Sequence, residues 1–196
     1  FVPDAEIFGD HARFKPQRLY RLARSKAYLF AGVEIRWKCA AELIGDDTPE
    51  EAVFQFPGGL ADHLREQIGT RECATTEAFT GSQDFPDGPN GEKMGRAEWA
   101  VAWPLWSDGS YSWYCNTIPT PDGGSHEAGL RAALTKGLRG FGEMVGQKRA
   151  SQLTGDDVLN GCETMLSLFI REPQFQSQTK DRLTSPEATR LVETAM

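Results

Sequence analysis

The 196 residues of the chain are enough to bury one substantial hydrophobic core, so one domain of mixed class is expected, with a second small domain as an alternative. No apolar run approaches the roughly 20 residues that cross a bilayer, which argues against a membrane protein. The formal net charge of −7 argues against a surface that binds nucleic acid through bulk positive potential.

The first predicted element is a basic helix within residues 14–32. Pro16 suits its first turn, and an apolar stripe of helical spacing is expected to face a core. The stripe consists of Leu19, Ala23, Ala27 and Phe30. Between Asp10 and Glu34 there is no acidic residue, whereas six are basic: Arg13, Lys15, Arg18, Arg21, Arg24 and Lys26. Such a helix could follow a phosphodiester backbone, or its long side chains could cover the edge of a core while their charges stay hydrated.

Alternating and aromatic segments predict a sheet. Residues 33–39 alternate as a half-buried strand, residues 52–56 give a second strand, and residues 58–69 give a short helix. Two clearer strands, 95–103 and 110–118, flank an Asp-Gly pair that is typical of a hairpin turn. Residues 81–93 are rich in Gly, Pro, Asp and Asn, which indicates a surface hairpin connection or an excursion.

The longest helix is predicted within residues 119–146, with an apolar stripe of Leu130, Leu134, Leu138, Phe141 and Val145. Its interior glycines at 129, 137, 140 and 142 suggest close approach to another backbone, which we expect to be the sheet. A short capped helix or turn at 154–161, a buried strand at 163–170 and a last helix capped by Ser185 follow. The pattern predicts an α+β fold, a mostly antiparallel sheet covered on one face by helices.

The cysteines and the acid pairs favour plain structural roles. Cys39, Cys73, Cys115 and Cys162 are far apart, with no histidine at ligand spacing, so free thiols and no metal site are expected; disulfides would need an exported protein. The chain starts at Phe1 without a signal-peptide pattern, which predicts a cytoplasmic piece of a longer protein. The pairs Asp46–Asp47 and Asp156–Asp157 are interpreted as turns and caps, and His11 and His63 as surface residues.

Two polar stretches remain as candidate sites. Residues 122–129, with two glycines before a helix, could form an anion-binding nest or a turn followed by Ser125 as helix cap. Residues 172–184 form a polar loop in which Lys180 and Gln178, two positions apart, offer hydrogen-bond donors to phosphate oxygens. A merely solvated loop explains the same composition.

Three stretches together resemble a known family. They are "NTIPTPDGGSHEAGLRAALT", "FIREPQFQSQTKDRL" and "SKAYLFAGVEIRWKC", and in this order they resemble the B subunits of bacterial type IIA DNA topoisomerases, gyrase B and topoisomerase IV B. The stretch "AYLFAGVEIRW" looks closer to topoisomerase IV. The resemblance implies a transducer domain with a fold similar to ribosomal protein S5 domain 2. It divides the chain into a tail of the ATPase domain at 1–12, the transducer at 13–184 and a helix toward the next module at 185–196.

The resemblance also implies function. Lys180 and Gln178 match the family residues that touch the γ-phosphate of ATP, and Lys180 counts as catalytic. The main pocket for ATP and Mg²⁺ is expected upstream, so this chain alone should neither bind ATP tightly nor hydrolyse it. Implied partners are that ATPase domain, the A subunit, double-stranded DNA and a second copy of the full subunit, in the cytoplasm near the nucleoid. The alternative is a DNA- or protein-binding module without nucleotide chemistry.

Overall fold

The computed structural model describes residues 4–9 and 13–196. The predicted tail, residues 1–12, lies partly outside these ranges, and His11 lies outside them altogether. The chain forms two compact units, Phe1–Gly59 and Leu60–Met196, which we call the N-terminal and C-terminal units.

The N-terminal unit combines helices with a two-stranded sheet. Its elements are α1 (Ala5–Phe8), α2 (Pro16–Leu29), β1 (Glu34–Lys38), a 3-10 turn (Ala41–Leu43) and β2 (Glu51–Gln55). β1 and β2 pair antiparallel with Ile35 opposite Phe54. The predicted basic helix and the alternating strand are confirmed, and Pro16 occupies the first turn of α2.

The buried face of α2 matches the predicted stripe only in part: Ala27 is fully buried. Leu19 is 39% exposed and Phe30 is 45% exposed. Tyr20 packs edge-on against Trp37 and Phe54 instead, with ring centroids 5.5 and 5.0 Å apart. These ring contacts of Tyr20 attach the helix to the two-stranded sheet.

The C-terminal unit is built on a five-stranded sheet. Its elements are α3 (Leu60–Ile68), β3 (Phe79–Asp84), β4 (Gly95–Ala102), β5 (Ser110–Cys115), β6 (Ile118–Pro119), α4 (Ser125–Met144), a 3-10 turn (Lys148–Gln152), α5 (Gly155–Leu159), β7 (Glu163–Ile170) and α6 (Pro186–Ala195). The strand order is β3-β4-β7-β5-β6. Only the β5 and β7 pair is parallel, so the predicted mixed α+β class and mostly antiparallel sheet are confirmed.

Helices lie on both faces of this sheet, whereas the sequence predicted one covered face. Trp99 of β4 and Leu166 of β7 join Leu130 of α4 and Val192 of α6 in the main core. Residues that alternate with them are buried as well, and α3 contacts both strands there. The second side is polar toward both ends, but the pair Ala100 and Met165 at its middle is apolar and buried, and it therefore needs a second cover.

The predicted hairpin between β4 and β5 is wrong. β7 lies between them and pairs with both. A turn signal such as Asp108-Gly109 is local, whereas the long apolar β7 gains most burial in the centre of the sheet. The observed turn between β5 and β6 is formed by Asn116 and Thr117, both at positive φ.

The predicted hairpin connection within 81–93 is confirmed, because this stretch joins β3 to the antiparallel β4, but its first residues already belong to a strand. β3 is an exposed edge strand paired with β4. Gly81 is required there because a Cβ atom would overlap the indole of Trp99. The polar, glycine-rich composition hid the strand from periodicity analysis.

Two of the four interior glycines of α4 approach other elements, but neither approaches the sheet: Gly129 meets α6, and Gly142 meets Ala150 of the following 3-10 turn. A Cβ at Gly129 would lie 2.5 Å from the backbone oxygen of Thr189 in α6, whereas Gly137 and Gly140 face open space. The apolar stripe of α4 is buried at Leu130 and Leu134 only; Leu138, Phe141 and Val145 are exposed.

Candidate functional site

The polar loop after β7 folds as a hairpin, residues 174–184, which we call the lysine hairpin. Phe175 and Leu183 pair antiparallel, and the Gln176 amide donates to the Arg182 carbonyl at 3.0 Å. The Thr184 amide donates to the Gln174 carbonyl at 2.8 Å. Leu183 is 1% exposed and Phe175 packs against the main core, so the root of the hairpin is anchored, whereas residues 176–179 are exposed and Lys180 is half-buried.

The tip is a tight turn that carries both sequence-predicted site residues. The Lys180 amide donates to the Ser177 carbonyl at 3.1 Å, and the Ser177 and Thr179 hydroxyls lie 2.6 Å apart. Lys180 has φ +63°, which is uncommon for a residue with a Cβ atom, so the turn must be held by these contacts. Gln178 is exposed at the same turn.

The ammonium of Lys180 lies 5.7 Å from the ring centroid of Phe175. No carboxylate of the described residues forms an ion pair with it. A lysine cation with three donors, beside an exposed amide, can therefore bind the oxygens of a phosphate without first breaking an internal salt bridge.

The second arm of the hairpin pairs with the segment before α4. The Asp122 amide donates to the Asp181 carbonyl at 2.9 Å, and the Leu183 amide donates to the Gly123 carbonyl at 3.0 Å. The Ser125 amide donates to the Leu183 carbonyl at 3.0 Å. A Cβ atom at Gly124 would overlap the backbone of Leu183, so the glycine allows two backbones to meet.

This pairing disfavours the anion nest at residues 122–129. The amides of Asp122 and Ser125 are taken by the hairpin, and that of Gly123 donates to the Thr120 carbonyl at 2.8 Å. The alternative turn is observed, but its predicted cap is wrong. Gly124 holds the N-cap position, and its amide donates to the Glu127 carboxylate at 3.3 Å.

Ser185 was predicted to cap α6. It does occupy the N-cap position, but its hydroxyl accepts from the Gln174 amide at 2.8 Å and makes no bond to the helix. Pro186 begins α6 as expected. The hydroxyl thus closes the open end of the lysine hairpin, a role that helix-capping statistics do not predict.

His126 is fully buried in the first turn of α4. Its Nε2 lies 3.0 Å from the Thr120 hydroxyl, and its ring meets Trp113 edge-on. Burial, helped by the charge of Arg182, lowers the pKa of His126 to about 4, so the imidazole is neutral at pH 7. His63, predicted at the surface, is also buried, in α3.

The acid pairs serve turns and caps, as predicted. Asp157 accepts from the Thr154 hydroxyl at 2.7 Å and from the Thr154 amide at 2.8 Å in a capping box, and these two bonds lower the pKa of Asp157. Asp46 accepts from the Thr48 amide at 2.8 Å. The four cysteines are free thiols. Within residues 4–9 and 13–196, no group of three or more His, Cys, Asp and Glu is arranged to hold a metal ion.

Sequence reasoning missed two residues of this region. Arg182 received no role, yet its Nη1 donates to the Asp122 carbonyl at 2.6 Å. Phe175 was not considered, yet it lies under the lysine ammonium. No spacing rule links positions 122 and 182, so only the fold reveals the contact.

None of the helices in the described parts of the chain is sufficiently long and apolar to cross a membrane.

Comparison with known proteins gives a consistent set of similar sequences. The family described as DNA gyrase B matches residues 59–196. The B subunit of DNA topoisomerase 4 from Caulobacter vibrioides is 49% identical over 100% of this chain and 28% of its own length. The corresponding protein of Bartonella bacilliformis is 47% identical, with the same coverage. The chain therefore spans 28% of the length of these curated relatives.

A solved structure has a similar fold. The 43K ATPase domain of Thermus thermophilus gyrase B, in complex with an aminocoumarin, superposes with a TM-score of 0.75 at 26% identity. The similarity covers 98% of this chain and 49% of that chain.

Proposed function

The chain belongs to the DNA gyrase B family, and we propose that it is the transducer part of a type IIA DNA topoisomerase, within the B subunit. Residues 13–184 form the transducer in this proposal, with an S5 domain 2-like fold; residues 1–12 end the preceding ATPase domain and 185–196 lead to the next module. The two topoisomerase IV relatives at 49% and 47% identity support topoisomerase IV over gyrase.

The observation that carries the proposal is the lysine hairpin. It presents a cation that no carboxylate of the described ranges pairs with, at the tip of a turn whose root is anchored in the core. Lys180 and Gln178 contact the γ-phosphate of ATP held by the upstream ATPase domain. A lysine cation placed there stabilises the charge that develops on the phosphoryl oxygens during transfer.

The same contact makes the hairpin a sensor. ATP, with Mg²⁺ in the full subunit, supplies the phosphate, and the contacts of Lys180 and Gln178 end when hydrolysis releases it. Loss of those contacts frees the hairpin from the ATPase domain and allows the two to reorient. The full enzyme is an ATP-hydrolysing topoisomerase that works with the A subunit on double-stranded DNA, as a dimer of the full subunit, in the cytoplasm at the nucleoid.

The basic helix supports a second candidate, a DNA- or protein-binding module. α2 contains no acidic residue and carries Arg18 and Arg21 exposed to solvent. If this second candidate is correct, charge reversal at Arg18, Arg21 and Arg24 should abolish salt-sensitive DNA binding. If the first candidate is correct, the same changes should leave the coupling of ATP hydrolysis to strand passage intact.

Lys180→Ala in the full-length subunit, assembled with its A subunit, tests the main proposal. Loss of one positioned cation should lower ATP turnover about 100-fold. The free energy of unfolding should change by no more than about 1 kcal/mol, because Lys180 makes no salt bridge with the described residues and loses only its contact with the Phe175 ring. The control is Lys148→Ala, an exposed lysine in the 3-10 turn after α4, which should leave turnover unchanged. Equal turnover in Lys180→Ala and the unaltered enzyme would remove the assigned role.

A further inference from the structure

Backbone hydrogen bonds and one side-chain contact attach the lysine hairpin to the segment that leads into α4. Its second arm makes three amide-to-carbonyl bonds with residues 122–125. Beside them, the guanidinium of Arg182 reaches across to the Asp122 carbonyl at 2.6 Å. Arg182 lies two residues after Lys180, so this contact is the side-chain bond nearest the tip on that arm.

The first turn of α4 is in turn fixed to α6. The Thr189 hydroxyl donates to the Ser125 carbonyl at 2.9 Å, and Gly129 leaves room for the backbone of Thr189. The hairpin, the start of α4 and α6 therefore share one continuous set of contacts. A displacement of the hairpin arm must either break these bonds or move α4 and α6 with it.

We propose that Arg182 is a positioning residue, which locks the lysine hairpin to Asp122 in the segment before α4 and so sets where Lys180 stands. This rests on the proposed function, because the lock matters for turnover only if Lys180 meets the phosphate. A hydrogen bond from a charged donor is stronger than one between neutral groups, and the planar guanidinium fixes its direction. Without it, the tip is held only by the turn and the backbone pairs.

The test compares Arg182→Ala and Arg182→Lys with Arg171→Ala, an exposed arginine just after β7, in the full-length subunit with its A subunit. Two readouts are taken: amide hydrogen exchange across residues 174–184, and kcat and KM for ATP. Arg182→Ala should speed exchange in the hairpin about tenfold, with β7 unchanged. It should lower kcat more than it raises KM, because a misplaced Lys180 loses contacts that form in the transition state.

Arg182→Lys should recover part of both effects, since a lysine can still donate to the Asp122 carbonyl, and Arg171→Ala should change neither. Unchanged exchange in Arg182→Ala would overturn the lock, as would faster exchange with unchanged kcat while Lys180→Ala is defective. Equal loss of protection in β7 would also overturn it, because that marks general destabilisation. If Lys180→Ala itself keeps full turnover, the proposed function fails, and the exchange readout alone then supports or overturns the lock.

Discussion

The charged residues at the two ends of β7 differ in their partners: the one at the start is buried and paired, and the one in the hairpin past the end is not paired with a carboxylate of the described residues. At its start, the carboxylate of Glu163 is 6% exposed, accepts from Arg71 at 2.8 Å and is hydrogen-bonded by Ser110. Past its end, the lysine hairpin holds Lys180 beside an aromatic ring and pairs it with no carboxylate of the described chain. A buried, paired charge ties elements together, whereas an ordered, unpaired charge remains available to a ligand.

The partner of Glu163 also connects the start of β7 to a neighbouring helix. Arg71 donates to the carbonyls of Ile68 and Gln67 at the end of α3 as well as to Glu163, so it joins that helix to the sheet. Burial alone would raise the pKa of Glu163, but the bonds from Ser110 and Arg71 outweigh it and lower that pKa. The start of β7 is therefore the end on which stability depends.

Of the substitutions considered for stability, Glu163→Ala at the start of β7 should have the largest effect. The change removes the acceptor of Arg71 and Ser110, and we expect the free energy of unfolding to fall by about 3 kcal/mol. Urea denaturation of the chain measures it. Glu193→Ala is the matched control, because Glu193 pairs with exposed Lys136 at 3.4 Å and should contribute less than about 1 kcal/mol. Similar losses in both variants would contradict the contrast.

The pH dependence of stability should distinguish Glu163, at the start of β7, from His126, in the first turn of α4 next to the lysine hairpin. The folded pKa of His126 is about 4, so between pH 6.5 and 4 the unfolded chain takes up a proton that the folded chain does not. Stability should therefore fall across this window by about 3 kcal/mol as pH is lowered. The contribution of Glu163 is present above the usual glutamate range and is lost only as pH falls through its lowered folded pKa. Denaturation of His126→Gln should show a flatter profile between pH 6.5 and 4; an unchanged slope would assign the loss to other groups.

Phe175→Leu should have the smallest effect, and it tests whether the ring of Phe175 helps to hold the ammonium of Lys180. Leucine retains apolar packing at the root but removes the ring beneath the ammonium, an interaction of about 0.5–1 kcal/mol at exposed sites. Turnover of the full subunit should fall about two- to fivefold. Phe175→Tyr keeps a ring and should retain nearly full turnover; equal defects in both variants would point to packing and not to the ring.

Local signals in the sequence predicted the elements well. Pro16 and the helical pattern of α2, the Leu130 and Leu134 pattern of α4, and the short capped segment that contains α5 are all features of a few neighbouring residues. The errors concern partners distant in the chain. The strand next to β4, the helix facing Gly129 and the atom bonded by Ser185 are each chosen by tertiary packing.

In the candidate site, too, the sequence predicted the residues of a local motif but not their partners distant in the chain. Gln178 and Lys180 are adjacent enough in sequence to form a motif, and the structure brings both to one turn. The residues that hold the turn in place were not predictable. The contact of Arg182 with Asp122 spans 60 positions, and the pairing of Leu183 with Gly123 depends on how the hairpin folds back.

The most direct test of the central claim is a structure of the full-length subunit with a non-hydrolysable ATP analogue. We expect the Lys180 Nζ about 3 Å from an oxygen of the γ-phosphate, with the Gln178 amide at the same group. A bound nucleotide with the Lys180 ammonium still over Phe175, or directed into solvent, would contradict the account.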